Sequence, residues 1–239
     1  MKFFLTKTET NRSSKESIPA KLQGRSRVVI EAVHPEIDGG EYAIQRVMGE
    51  TVAVEADIFA DGHDGIAAQL LYRAPGKRTW NVAPMQPVTN DRWRGEFPVT
   101  EIGEYRYTLE GWIDSFTTWR NAMKKRLDAG QEVHVELISG GVLVSAAAKR
   151  ARGEDAKQLK EFAARLSAAT AGSSNEDASA AALDPALDAL MLKYQEHAHC
   201  TRYAKELAVS VGRERAGFSA WYEIFPRSCS STPGQHGTF

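Results

Sequence analysis

Three potential metal ligands fall within four residues at His197-Ala198-His199-Cys200. Imidazole and thiolate are zinc donors, but a tetrahedral site needs a second ligand pair at the usual spacing, and the sequence supplies none. Positions i and i+2 of a helix also point about 200° apart. The segment is therefore read as a helix C-terminus, where cationic side chains suit the dipole. Asp61-Gly62-His63-Asp64-Gly65 begins like a calcium loop but lacks the remaining oxygen ligands and the terminal glutamate, so it reads as a loop between strands. Gly39-Gly40 and Gly140-Gly141 are the nearest approach to a phosphate cradle. Neither has the Lys-Ser/Thr that follows in a nucleotide fingerprint. Ser219 and Ser228 sit in no G-x-S-x-G elbow. Glu223 is the one carboxylate inside a strongly apolar run, where burial would raise its pKa as in an acid catalyst. No second carboxylate is placed opposite it, and a structural role is expected. No residue is assigned as catalytic, cofactor-binding or metal-ligating.

Aromatic side chains offer a different chemistry, because pyranose rings stack on exposed Trp and Tyr. Of Trp80, Trp93 and Trp112, only Trp112 alternates onto the polar side of its strand, together with Thr108 and Glu110. It is the candidate glucan contact, with packing against a neighbouring element as the favoured alternative.

The elements that must carry these residues change period once and change back. From Val28 to Asp114 the pattern is β. In Thr51–Phe59, Val52, Val54, Ala56 and Ile58 point one way and Thr51, Glu55 and Asp57 the other. Trp93 and Phe97 oppose Arg92, Arg94 and Glu96, and Tyr105, Tyr107 and Leu109 oppose Glu104, Arg106 and Thr108. Pro75-Gly76 and Asn90-Asp91 mark turns. Short strands with one apolar face imply two sheets packed face to face, an immunoglobulin- or fibronectin-like sandwich.

After Asp114 the period is helical. Phe116, Trp119, Met123 and Leu127 form one stripe that Gly130 ends. A second helical pattern spans about 133–151, with a kink or break expected at Gly140-Gly141. A third runs from Glu154 to about Ala169. After a Gly-Ser-Ser-Asn linker at 172–175, Asp184 caps and Pro185 opens a fourth with Leu187, Leu190, Met191 and Tyr194. Three or four such helices make a small bundle. Leu207, Val209 and Val211 then restore period two, so the bundle is expected as an insertion into the sandwich. The expected parts are a sandwich over 27–114 with a returning strand at about 205–214, and a helical bundle over 115–204.

With 239 residues, 30 Lys+Arg against 31 Asp+Glu and 42% apolar residues, the chain has the material for one or two cores. A pI near 6.6 is not the electrostatic footprint of a nucleic-acid binder. No stretch approaches the ~20 apolar residues that span a bilayer, so no membrane partner is expected. Two cysteines, Cys200 and Cys229, are too few for a disulfide scaffold, and a cytoplasmic setting is expected. The first 27 residues carry seven Lys/Arg against two Glu, and 1–26 are read as a disordered basic tail. Phe218–Ser228 is almost wholly apolar, the pattern of a strand buried on both faces, with no sheet following it. The stretch 218–239 is therefore expected to be the truncated start of another domain.

The segments TVAVEADIFADGHD (51–64), NDRWRGEFPV (90–99), GEYRYTLEGWIDSFTTWR (103–120) and FSAWYEIFPRS (218–228), in this order, resemble the N-terminal region of bacterial maltosyltransferases of the α-amylase clan. Those enzymes extend α-1,4-glucans from maltose 1-phosphate. The resemblance covers about 27–239. It implies a fibronectin-like domain interrupted by a helical insert, leading into a (β/α)8 barrel whose first strand is similar to Ala220–Pro226. It also places the nucleophile, the general acid and the donor phosphate pocket on that barrel, so no catalytic residue carries over.

The expected function is thus that of a non-catalytic accessory and assembly part, inactive alone, without cofactors. The resemblance further implies a homodimer through the insert and sandwich, where Phe116, Trp119, Met123 and Phe162 exceed what a small bundle can bury. α-Glucan and maltose 1-phosphate would be partners of the full-length enzyme only. The alternatives are a free-standing cytosolic α-glucan-binding module and a structural dimerisation protein.

Overall fold

The computed structural model describes residues 27–197, 199–218 and 223–237. Its strands are β1 (Val28–His34), β2 (Ile44–Val47), β3 (Thr51–Ala60), β4 (Ile66–Arg73), β5 (Asn81–Pro84), β6 (Gln86–Thr89), β7 (Arg92–Pro98), β8 (Gly103–Ile113), β9 (Thr201–Arg202) and β10 (Leu207–Gly212). Five helices lie between β8 and β9: α1 (Ser115–Asp128), α2 (His134–Arg150), α3 (Gly153–Ser167), α4 (Glu176–Ala182) and α5 (Pro185–Lys193).

One sheet has the order β1-β3-β7-β6 and the other β2-β10-β8-β4-β5, with β9 added beside β8. The apolar faces of β1, β2, β3, β4, β7, β8 and β10 enter a single core shared by both sheets. Val52, Val54, Ala56, Ile58 and Phe97 from the first meet Leu70, Tyr105, Tyr107, Leu109 and Val209 from the second. The Tyr72 and Phe97 rings stack at 4.7 Å, tying the sheets together. Gly95 on β7 leaves room for Met85, because a Cβ there would lie 2.9 Å from its Cγ. The expected turn at Pro75-Gly76 is present, with Gly76 at φ +70° and Lys77 N donating to Ala74 O at 3.1 Å.

The returning strand is β10. It pairs antiparallel with β8, Val209 opposite Tyr105, and parallel with β2, Val209 opposite Ile44. The chain rejoins the sheet earlier than expected, because β9 already places Thr201 opposite Gly111.

The helices bury a second, separate set of side chains, among them Phe116, Trp119, Met123, Leu137, Val144, Leu159, Leu166, Leu187 and Met191. Phe116, Trp119 and Met123 are interior, so three of the four side chains expected to remain for a partner are already covered. The expected break in α2 is also corrected, since the helix is continuous. A Cβ on Gly140 would fall within the Trp119 ring, and one on Gly141 would meet the Ser167 hydroxyl and lie 3.2 Å from Ala163 O. These glycines therefore let an indole and a neighbouring helix approach closely, at some cost in helix propensity. The short α4 was not anticipated.

The expected tail lies outside the described residues, as do 219–222 of the anticipated terminal strand. Residues 223–225 are not strand, and Pro226–Ser228 form one 3-10 turn. Phe218, Ile224 and Phe225 are exposed at 81%, 60% and 66%. A strand needs a pairing edge, and none of the described strands pairs with this segment.

Candidate functional site

Most of the sequence-level candidates are explained by local structure. Arg27 closes the loop at 61–65: its Nε donates to Asp61 Oδ1 at 2.7 Å and its Nη1 to Asp64 Oδ2 at 2.6 Å. Both carboxylates already have a cation. Gly39 and Gly40 have φ of +65° and +86°, the conformation of a tight turn, and the Gly39 carbonyl accepts from Lys205 Nζ at 2.6 Å. Glu223 and Ser228 are exposed, so Glu223 is not the buried acid that its apolar neighbours suggested, while Ser219 lies outside the described residues. His197 and Cys200 lie beyond the end of α5 rather than on it. Among the described residues no group of three or more His, Cys, Asp and Glu is placed to hold a metal ion. Burial pushes the Cys200 thiol up to about 11, the opposite of a reactive thiolate.

Trp112 is packed and not open to solvent. It does lie on the face of β8 opposite Tyr107 and Leu109, but that face is covered. Only 3% of the residue is exposed, and its ring stacks on His197 with centroids 4.1 Å apart. Alternation identifies which side of a strand a residue takes; it does not say whether another element covers that side. Thr108 on the same face is likewise buried, its hydroxyl donating to Tyr203 O at 3.2 Å.

Trp112 instead helps to line a small cavity of about 40 Å³, room for about one water, where the end of β8 meets the helices. Asp114 caps α1, accepting from Thr117 N at 2.9 Å and Thr117 Oγ1 at 2.8 Å. Its side chain is held further by Gln195 Nε2 at 3.2 Å. Arg150 at the end of α2 donates from Nε and Nη2 to Tyr194 O, at 3.0 and 2.7 Å, fixing the chain as it leaves α5. Phe116, Leu143 and Met191 form the apolar wall. A second recess of about 330 Å³ shares Asp114, Phe116, Met191 and Gln195.

The Trp112 indole Nε1 has no hydrogen-bond partner although it is buried. A buried donor left unpaired costs about 1–3 kcal/mol, which is uncommon in a folded interior. The small cavity is thus lined by one unpaired donor, by carboxylate, amide and guanidinium groups that already bond within the chain, and by an apolar wall. Sequence reasoning found Trp112 and the change from strand to helix at Asp114, but not the cap that Asp114 forms. It missed Gln195 and Arg150, which reach the site only through the fold.

The family model for α-1,4-glucan:maltose-1-phosphate maltosyltransferase, domain N/S, matches residues 26–213. A maltosyltransferase of that description from Chlorobaculum tepidum is 47% identical over 218 residues, covering 91% of this chain and 32% of that protein. One from Myxococcus xanthus is 42% identical over 220 residues, covering 89% and 32%. One from Burkholderia pseudomallei is 36% identical over 229 residues, covering 95% and 20%. The chain spans about a third of the length of the first two relatives. With its two-sheet core and its helices both inside the matched range, the chain belongs to the family of the α-1,4-glucan:maltose-1-phosphate maltosyltransferase N/S domain.

Proposed function

We propose that this chain is the non-catalytic N-terminal accessory and assembly part of a cytoplasmic α-1,4-glucan:maltose-1-phosphate maltosyltransferase. The whole enzyme would pass maltosyl units from maltose 1-phosphate to the non-reducing end of a glycogen-like glucan. The observation that carries this reading is the match over 26–213 to the N/S domain, in a chain about a third as long as its relatives. The two sheets would be a fibronectin-like sandwich, the helices an insert in it, and residues 218–226 the approach to a (β/α)8 barrel. Glycosyl transfer with retention needs two carboxylates about 5–5.5 Å apart across the scissile bond, and these are assigned to the barrel. The purified chain, incubated with maltose 1-phosphate and maltohexaose, is expected to release no phosphate above a protein-free control. Phosphate release that follows the chain through successive purification steps would overturn the reading.

The proposed assembly is a homodimer formed through the helices and the sandwich. What supports a helical contact is the outer face of α2, where Val135, Ile138 and Val142 are exposed at i, i+3 and i+7. Light scattering at about 100 μM, well above a micromolar Kd, is expected to give a dimer mass, with Val142→Glu shifting it to the monomer. A monomeric mass for the parent chain at that concentration removes the dimer.

A further inference from the structure

We propose that the recess between α1 and α5 holds this chain's own N-terminal segment, with Phe3, Phe4 and Leu5 entering it and Lys2 and Lys7 at its acidic rim. The recess, of about 330 Å³, is lined by Phe116 and Thr117 of α1 and by Pro185, Asp188, Ala189 and Leu192 of α5. Those four residues of α5 fall at i, i+3, i+4 and i+7, one face of the helix. Pockets that take an organic group begin at about 300 Å³, so the space suits large side chains. Leu192 is 70% exposed, and Pro185 and Ala189 are exposed as well. This face of α5 is therefore largely apolar, and the described residues leave it uncovered.

Position, composition and charge select the N-terminal segment as the occupant. Arg27, which follows it, lies beside the rim: it donates to Asp64 Oδ2 at 2.6 Å, and the adjoining Gly65 donates to Thr118 Oγ1 and accepts from Asp114 N, both at 2.8 Å. Residues 8–26 reach about 60 Å when extended, ample for the first residues to return to α5. Residues 1–26 hold one run of three large apolar side chains, Phe3-Phe4-Leu5, between Lys2 and Lys7, in a stretch with six Lys/Arg against two Glu. The two carboxylates of the recess, Asp114 and Asp188, have one cation between them, Arg120, which meets Asp188 Oδ2 at 2.9 Å. Asp61 and Asp64 likewise share Arg27. A surplus of negative charge thus runs from Arg27 to the recess and complements the segment. Tethering adds to this, since a joined segment acts at an effective concentration of about 1 mM. Contact too weak to persist between separate molecules is then populated within one chain.

The test labels the methionine methyl groups of the full chain with 13C and follows Met191, which lines the recess, its NMR signal being identified by loss in Met191→Leu. Removing residues 2–8 is expected to shift that signal and to leave Met85, in the core of the sheets, in place. A synthetic peptide of residues 1–12, added to the shortened chain to about 5 mM, should restore the full-chain position with a Kd of about 1 mM or below. Phe3→Ser with Phe4→Ser in the peptide should weaken it at least about tenfold, the value of burying one such ring. Lys2→Glu with Lys7→Glu should weaken it about two- to fivefold at low salt. Leu192→Glu, at an exposed position, should abolish the response to the peptide and leave the Tm in place. The proposal is overturned if removing 2–8 leaves Met191 unmoved, or if either substituted peptide restores the signal as well as the parent. It is also overturned if the full-chain Met191 signal changes between about 20 and 500 μM, the mark of a second copy in the recess. None of these results bears on the phosphate-release assay, which tests the maltosyltransferase reading separately.

Discussion

Gly140→Ala destabilises the helical part of the molecule by about 1–3 kcal/mol, against the direction that helix propensity alone would give. In a free helix the substitution favours folding by about 1 kcal/mol. Here the added methyl would occupy the space of the Trp119 indole, which lies across α2 and donates from Nε1 to Glu136 O at 2.6 Å. The ring is 9% exposed and packs on Phe116 at 5.4 Å, so it has little room to retreat. Overpacking of this kind costs about 1–3 kcal/mol, and displacing the indole forfeits its hydrogen bond, about another 1 kcal/mol. The two costs exceed the propensity gain. Urea denaturation followed at 222 nm should show the loss. In a Trp119→Ala background, itself weakened by about 3–5 kcal/mol, Gly140→Ala should become neutral or stabilising, because the clash is gone. A stabilising effect in the parent chain would mean that the indole does not rest on the α2 backbone.

The same contact shows where sequence reading stops. Gly140-Gly141 are poor helix formers, and the local signal therefore points to a kink; the reason for their presence lies at Trp119, 21 residues before Gly140, and at Ser167, 26 residues after Gly141. The strands were legible because each presents one face to a common core, so Val52-Val54-Ala56-Ile58 and Tyr105-Tyr107-Leu109 carry their period openly. The stripe Phe116-Trp119-Met123 on α1 was legible for the same reason. By contrast α4 has no large side chain with which to mark a period. Its Ala178, Ala181 and Ala182 are buried by close approach, which composition alone cannot signal. At the candidate site, Trp112 belongs to a readable strand and Asp114 to the readable change from strand to helix. Gln195 comes to Asp114 across 81 residues, and no local pattern announces it. Arg27 likewise closes on Asp61 from 34 residues away and converts an apparent cation loop into an ion pair.

Replacing residues 113–199 by Asn-Gly, with Trp112→Thr, leaves the two-sheet core folded while the helical circular-dichroism signal disappears. The geometry favours this because the two ends of the helical stretch are already neighbours: Gly111 pairs with Thr201 and Glu110 with Arg202 in an antiparallel ladder. Residues 112 and 200 then stand opposite each other, and Asn-Gly is the preferred two-residue turn for closing such a pair. The buried side chains of the sheets and of the helices form two sets with no member in common, and of the removed residues only the partly buried Ile113 packs on the sheet core. Four ties are lost: the burial of Trp112, the packing of Ile113 on the sheet core opposite Ile66, and the hydrogen bonds from Asp114 N to Gly65 O and from Gly65 N to Thr118 Oγ1, both 2.8 Å. Burial of one large side chain is worth about 1.5–3 kcal/mol, and each hydrogen bond about 1 kcal/mol. Shortening the connection from β8 to β9 to two residues returns about 3 kcal/mol of loop-closure entropy. The opposing amounts are similar, so thermal unfolding of the excised chain should remain cooperative, with a Tm within about 10 °C of the parent's sheet transition. A non-cooperative melt with exposed apolar surface would show that the sheets depend on the helices for their fold, and that the helical stretch is no insertion.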